Sequence, residues 1–294
     1  METTSISELI SWHRQTDDLI RQGSCTNPAF IKPYHLAVLA AKMNAATDRT
    51  VHMPKGDLEH YAARMHLWQV LGQEPPVLMN EYRETGRFQP LTSIQSDDDV
   101  SQIADQIIEL FQPICTDDVT KYSIYSLVVE ILGNCVAHAG GMESEPYGFV
   151  CGQVWKRARR AQIAVIDSGI GIRQTLECCG QYGDRLATEN ACTLATEYSV
   201  TSKAGNGHSG YGLTLARDLM MQNGGALHIL SVDEWFSSSG VGGLHAGTIA
   251  DLNLYGTLIV LEWDTSRPLN SGAVYARWPN EQKEDEDDDF NWDF

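Results

Sequence analysis

The chain has 294 residues, 43% of them hydrophobic, enough for one large domain or two ordinary ones around a real core. Its net charge is −18; residues 281–294 carry eight carboxylates against one lysine and account for −7, which leaves −11 on the body. A body this acidic argues against direct nucleic-acid binding, because affinity for a phosphate backbone comes from Lys and Arg releasing counterions. Seven cysteines without a CxxC pair point to reduced core thiols. The absence of a basic n-region and apolar h-region at the start, and of any run of about eighteen apolar residues, points to a cytoplasmic protein with no membrane partner.

In chain order, residues 5–22 place Ile6, Leu9, Ile10 and Leu19 among polar residues and stop at Gly23, which predicts a helix. Residues 35–46 predict a second helix, 50–54 a short strand, and 57–71 a third helix with Asp57 as N-cap and Gly72 as its stop. These pieces are expected to form a small α/β unit over residues 1–87. After a polar connector at 81–86, residues 88–94 predict a strand and 97–110 a helix with Ile103, Ile107 and Leu110 buried. The clearest helix is 119–138, whose apolar stripe runs from Ile124 through Leu127, Val128, Ile131, Leu132 and Cys135 to Val136 at helical spacing.

Strands are predicted at 147–155 and 161–166, joined by the solvated basic turn Lys156-Arg157-Ala158-Arg159-Arg160. Helical stretches follow at 173–178 and 184–198, then a Gly- and Ser-rich loop at 199–211 that opens into a helix at 212–222. Residues 226–232 and 257–263 predict strands. The segment between them, above all 237–247, reads as a loop, and 282–294 as a disordered tail by composition.

Three segments carry the chemistry. On the 119–138 helix, Glu130, Asn134 and His138 are spaced by four and share one face. Asn134 can offer a neutral amide oxygen to Mg²⁺, and Glu130 can orient or deprotonate an attacking water or hydroxyl. Both can equally be the polar edge of an amphipathic helix, and His138 reads as a packing residue. The second segment is Asp167-Ser168-Gly169-Ile170-Gly171, at the end of the strand Ala161-Gln-Ile-Ala-Val-Ile166. A carboxylate there can accept from an exocyclic amine such as that of adenine, or it can simply cap a strand-to-helix turn. The third runs from Thr201-Ser202-Lys203 through Gly207, Ser209, Gly210, Tyr211, Gly212 and Leu213. Its amides and the N-terminus of the next helix can face phosphate oxygens, with Lys203 adding charge, or it is a flexible surface loop. It is neither a P-loop nor a Rossmann turn.

Together the three segments resemble the ATP-binding domain of gyrase, Hsp90, histidine kinases and MutL, the GHKL superfamily with the Bergerat fold. The Glu130–His138 stretch is similar to the N box, closest to the form in anti-sigma-factor serine kinases; Asp167-Ser-Gly-Ile-Gly is similar to the D-x-G-x-G box. Thr201-Ser-Lys with Ser-Gly-Tyr-Gly-Leu resembles the lid and second glycine box of histidine kinases, and Gly256-Thr257 the final G-T element. The resemblance covers residues 88–265. It implies an α+β two-layer sandwich of helices over a mixed sheet, with ATP and Mg²⁺ between the layers. By analogy Asn134 coordinates the metal, Asp167 reads adenine, Thr257 helps hold it, Glu130 is the catalytic base, and the lid from Lys203 to Leu213 closes over the phosphates. Residues 1–87, with the 50–54 strand, Tyr61-Ala-Ala-Arg-Met65 and Leu71-Gly72, more loosely resemble STAS-like segments ahead of some bacterial ATPases of this kind.

His13 lies in no H-E/D-x-x-x-P pattern, so a sensor histidine kinase is not expected. The expectation is a compact ATPase or protein kinase, or a non-catalytic nucleotide-sensing module, either of them able to pair as a homodimer. Residues 266–294 are a linker and acidic tail. The segment that begins at Asp289 and closes on Phe294 places Phe290 and Trp292 among carboxylates. It reads either as a solubility tail or as a recognition peptide for a protein partner, the N-terminal unit being the other candidate contact.

Overall fold

The computed structural model describes residues 3–22, 26, 28–46, 55–77, 86–115, 117–138, 146–203 and 210–279. Among them seven strands form one sheet: β1 (Phe88–Ile94), β2 (Gly148–Trp155), β3 (Arg160–Asp167), β4 (Ala226–Val232), β5 (Glu234–Ser239), β6 (Gly243–Thr248) and β7 (Leu254–Asp264). Their order is β1-β2-β3-β7-β4-β5-β6. Every neighbouring pair is antiparallel, so the expected mixed sheet is corrected to an antiparallel one. The class is α+β, as expected.

Eleven helices are described: α1 (Ile6–Gln22), α2 (Pro33–Ala45), α3 (Asp57–Arg64), α4 (Leu67–Val70), α5 (Asp97–Phe111), α6 (Asp118–His138), α7 (Ile172–Cys178), α8 (Gly183–Leu186), α9 (Ala191–Leu194), α10 (Gly212–Asn223) and α11 (Ser271–Tyr275). Local chemistry sets several ends. Ser96 and Asp99 exchange side-chain and backbone bonds in a capping box at the start of α5. Gly224, at φ 79°, closes α10 in the left-handed conformation that glycine adopts without strain.

Both faces of the sheet are covered. On the front, Ile163 and Val165 of β3, Leu227 and Ile229 of β4 and Ile259, Leu261 and Trp263 of β7 pack with α5, α6 and α10. On the back, Ala164, Ile166, Leu230, Leu258 and Val260 pack with Leu9, Trp12, Leu36, Leu39, Leu58 and Trp68 of α1–α4. The central strands therefore bury both sets of alternating side chains. This corrects the two-layer expectation to three layers, helices–sheet–helices. The described residues of the first unit are helical and form the back layer; the expected strand at 50–54 lies outside the described residues.

The back face keeps two polar side chains, Gln162 and Glu262, fully buried. The N-terminal segment partners Gln162 and one oxygen of Glu262, whose Oε1 has no hydrogen-bond partner among the described residues. Thr4 Oγ1 donates to Glu262 Oε2 at 2.7 Å, Gln162 Nε2 donates to the same oxygen at 2.9 Å, and Lys32 Nζ donates to Thr4 Oγ1 at 2.9 Å. A buried carboxylate without such donors would be costly.

Three further expectations change. The helix at 57–71 breaks into α3 and α4 at His66, whose φ is 64°. Just before it, the Met65 carbonyl accepts the Leu91 amide of β1 at 2.9 Å, so a strand takes the bond that a continuing helix would use. The helix at 184–198 is two single turns, because Asn190 Oδ1 accepts the Thr193 amide at 3.0 Å and starts α9 afresh. The loop at 237–247 is the β5–β6 hairpin. Its β6 strand is exposed on both faces, so no alternation marks it. Cys115, Cys135, Cys151 and Cys192 are free and buried, as expected of core thiols.

If the helices are a layer of one body, Leu39→Ala should lower the unfolding free energy of the whole chain by about 2–5 kcal/mol. A urea titration should show one cooperative transition moved to lower denaturant. A second transition left in its original place would contradict a shared core.

Candidate functional site

The C-terminal end of β3 delivers Asp167 to the front of the sheet beside the start of β7. Asp167 Oδ1 accepts from the Gly169 amide at 2.8 Å and the Thr257 amide at 3.0 Å. The Thr257 hydroxyl also helps hold the charge. Burial is the larger influence: it pushes the carboxyl up to about 6, against the pull of these donors.

Gly256 makes the approach possible. Its φ is 81°, and a Cβ on it would lie 2.0 Å from the Asp167 carbonyl oxygen. No other residue fits there. Behind it Ser231 Oγ accepts the Ile172 amide at 2.8 Å and stands 3.1 Å from Thr257 Oγ1, joining β4, β7 and the first turn of α7.

A cleft of about 970 Å³, its open mouth included, lies over this corner. That is the scale of small-molecule sites. The cleft is lined by Glu130, Asn134 and His138 of α6, by Asp167, Gly169, Gly171, Thr257 and Ile259, and by Gly210, Tyr211, Gly212 and Leu213 at the start of α10. Gly212 brings the two helices together. A Cβ there would stand 2.9 Å from Glu130 Oε2 and 3.4 Å from Asn134 Nδ2. The unpaired amides of the first turn of α10, with their partial positive charge, thus meet the polar face of α6.

Most of the residues singled out from the sequence are brought to this one cleft. Gly207 and Ser209 lie outside the described residues. Lys203 is placed differently from the expectation: its ammonium donates to the Ala137 carbonyl, in the last turn of α6, and it is not part of the cleft lining. A helix C-terminus leaves carbonyls unpaired and carries partial negative charge, which attracts a cation. Lys203 therefore ties the root of the 201–203 loop to α6.

Sequence reasoning missed the apolar wall of Ile172, Thr175, Leu176, Ala195 and Val200, and the brace from Ser231. The spacing of Ile172, Thr175 and Leu176 at i, i+3 and i+4 on α7 was the available signal. It also missed an aromatic cluster at the cleft mouth. Tyr211 stacks on Tyr198 with centroids 4.7 Å apart, Trp278 lies 5.3 Å from each, and Trp278 Nε1 donates to Asp218 Oδ2 at 2.9 Å.

A scan against models of known protein families and a search of curated proteins found no match to this chain.

Gly256→Ala should destabilise the fold by at least about 2 kcal/mol, since it combines a left-handed backbone with a clash against Asp167. Chemical denaturation measures this; an unchanged midpoint would mean that β7 does not approach Asp167 in this way.

Proposed function

We propose that this chain is a Mg-ATP-binding protein of the GHKL type with a Bergerat fold, which hydrolyses ATP or transfers its γ-phosphate to a partner protein while its lid acts as a regulatory switch. The observation that carries this reading is the Asp167 corner. One carboxylate oxygen is fixed by two backbone amides, and the cleft above is shared with Glu130, Asn134 and the N-terminus of α10. An exocyclic amine of a purine supplies the matching donor, and the apolar wall from α7 suits the face of its ring.

The lining residues fit a metal-accompanied anion. Among the described residues the cleft is lined by the carboxylates of Glu130 and Asp167 and by no lysine or arginine, and residues 204–209 contain neither. Among the described residues no group of three or more His, Cys, Asp or Glu forms a metal-binding cluster. Asn134 is the side chain that would hold Mg²⁺, which favours oxygen donors and shares them with phosphates; the ion would neutralise charge on the transferred group. Glu130, one turn earlier on α6, would orient or deprotonate the acceptor. A second reading, a non-catalytic nucleotide switch, is favoured by the Tyr198–Tyr211–Trp278 cluster, which couples the cleft mouth to the segment after β7.

Asn134→Ala should abolish Mg-dependent nucleotide binding and turnover. Glu130→Ala should keep binding within about threefold and lower phosphate release by about 10²-fold or more. Calorimetry with Mg-ATP and a phosphate-release assay measure the two. Unchanged turnover in both variants removes the enzymatic assignment, and bound nucleotide without release leaves the switch.

The raised Asp167 pKa gives a pH test. Its carboxylate is ionised, and so a full acceptor, only above about 6. Nucleotide affinity should be level above pH 7 and fall as pH drops through 6, by at most about tenfold per unit. The sign for folding is opposite: between the ordinary aspartate range and 6 the folded chain holds a proton that the unfolded chain has lost, so this group's contribution to stability declines as pH rises through that window. Asp167→Asn should remove both dependences.

A further inference from the structure

A cationic pole lies at the end of the sheet away from the cleft. β2 ends at Trp155, the turn Lys156–Ala158 follows, and Arg159 at φ 51° returns the chain to β3. Lys156, Arg157 and Arg159 are exposed, and none of them makes an ion pair among the described residues. Exposed Arg87 adjoins them, its carbonyl accepting the Val154 amide at 2.9 Å. Exposed Arg267 comes to the same end, where the Thr265 amide donates to the Arg159 carbonyl at 3.0 Å. At the base of the turn, Arg160 Nη1 is buried without a hydrogen-bond partner. The acid in register with Arg160 is Asp264, which feels the Arg160 charge but also accepts from Ser266 and pairs with Arg267. Beside the cations Trp155 packs on Phe30 at 5.6 Å, and Phe30 is 47% exposed.

This surface asks for an acidic partner with an aromatic anchor. We propose that the partner is residues 281–294 of the same chain, folded back onto the Trp155–Arg160 turn. The segment has eight carboxylates, one lysine, and the aromatics Phe290, Trp292 and Phe294. Aromatic rings can pack on Trp155 and Phe30 and lie against guanidinium groups. The reach is sufficient. Trp278 is bonded to Asp218 on α10, and Arg267 Nη1 donates to the Asn223 carbonyl at the C-terminal end of that helix. Five helical rises separate those points, about 8 Å. Residues 280–294 extended span about 50 Å. Single exposed ion pairs contribute little, but a tethered segment meets the pole at millimolar effective concentration. A nucleic acid would have to approach a body of charge −11 without that tether.

Zero-length carbodiimide cross-linking of the full chain at low micromolar concentration, read by peptide mass spectrometry, tests this. Lys156 should be joined to carboxylates within 281–293. The link should fall at least fivefold in 0.5 M NaCl, in Arg157→Glu/Arg159→Glu, and in the tail variant Phe290→Ala/Trp292→Ala/Phe294→Ala, which alters none of the described residues. In an equal mixture of ¹⁴N and ¹⁵N chains, the linked peptides should carry a single isotope. Mixed-isotope links would assign the pole to a second copy and overturn the proposal. So would absence of the Lys156 link, a link indifferent to charge reversal, or tight binding of a labelled single-stranded oligonucleotide at 0.15 M salt that the Arg157→Glu/Arg159→Glu variant loses.

Discussion

The carboxylate of Asp167 holds the ends of two central strands together. β3 and β7 run in register from Arg160 opposite Asp264 to Ile166 opposite Leu258. Past that point the backbone ladder stops, and Asp167 Oδ1 takes over by accepting the Gly169 and Thr257 amides. The side chain does work that a further rung would do, while leaving an opening where a rung would have closed the sheet. Gly256 is the counterpart of this arrangement, because only a residue without a Cβ can pass so close to the Asp167 carbonyl. The desolvation that raises the Asp167 pKa follows from the same closeness.

The rest of the cleft is organised around that corner by two helix ends of opposite sign. α6 brings its C-terminal turn to the cleft rim, where Lys203 meets the Ala137 carbonyl. α10 brings its N-terminus, with Gly212 set against Glu130 and Asn134. Partial negative charge is thus matched by an ammonium on one side, and partial positive charge faces the cavity on the other. Tyr211 stands at the junction, and its stacking on Tyr198 and Trp278 ties the start of α10 to the chain after β7. A displacement at the cleft mouth would therefore strain packing at the C-terminal segment, and the reverse.

Much of this was legible in the residues, and the failures have physical causes. The strand before Asp167, the 21-residue α6 and the glycines around α10 could be placed because periodicity and turn chemistry act locally. The hairpin at β5–β6 could not, since a strand exposed on both faces has no alternation to read. The break at His66 depends on a partner distant in sequence, and the one at Asn190 on a cap inside a run that otherwise reads as one helix. The layer count is the instructive miss. β3 reads Ala-Gln-Ile-Ala-Val-Ile and β7 reads Leu-Ile-Val-Leu-Glu-Trp, nearly apolar at every position. A sheet with one wet face would alternate, so those runs already required a second cover. The N-terminal helices supply it, and Thr4, which accepts from Lys32, donates to Glu262 and accepts from Gln162, the two polar exceptions.

The distribution of charge bears on what the cleft can accept. Among the described residues its lining sets two carboxylates against helix-end amides and includes no lysine or arginine, and residues 204–209 contain none. A bare polyphosphate would meet net repulsion in a chain that is already strongly acidic. Partial charges at a helix N-terminus offset only part of this, since each is worth about half a unit. A triphosphate carrying its own divalent cation removes the conflict, and Asn134 is a donor that binds such a cation without adding negative charge. The same reasoning separates the cleft from the pole beyond Trp155, where several full cations stand exposed without ion-pair partners among the described residues. The proposed nucleotide would bring its cation to an acidic cleft, whereas an acidic peptide would find its cations already in place at the other end of the sheet.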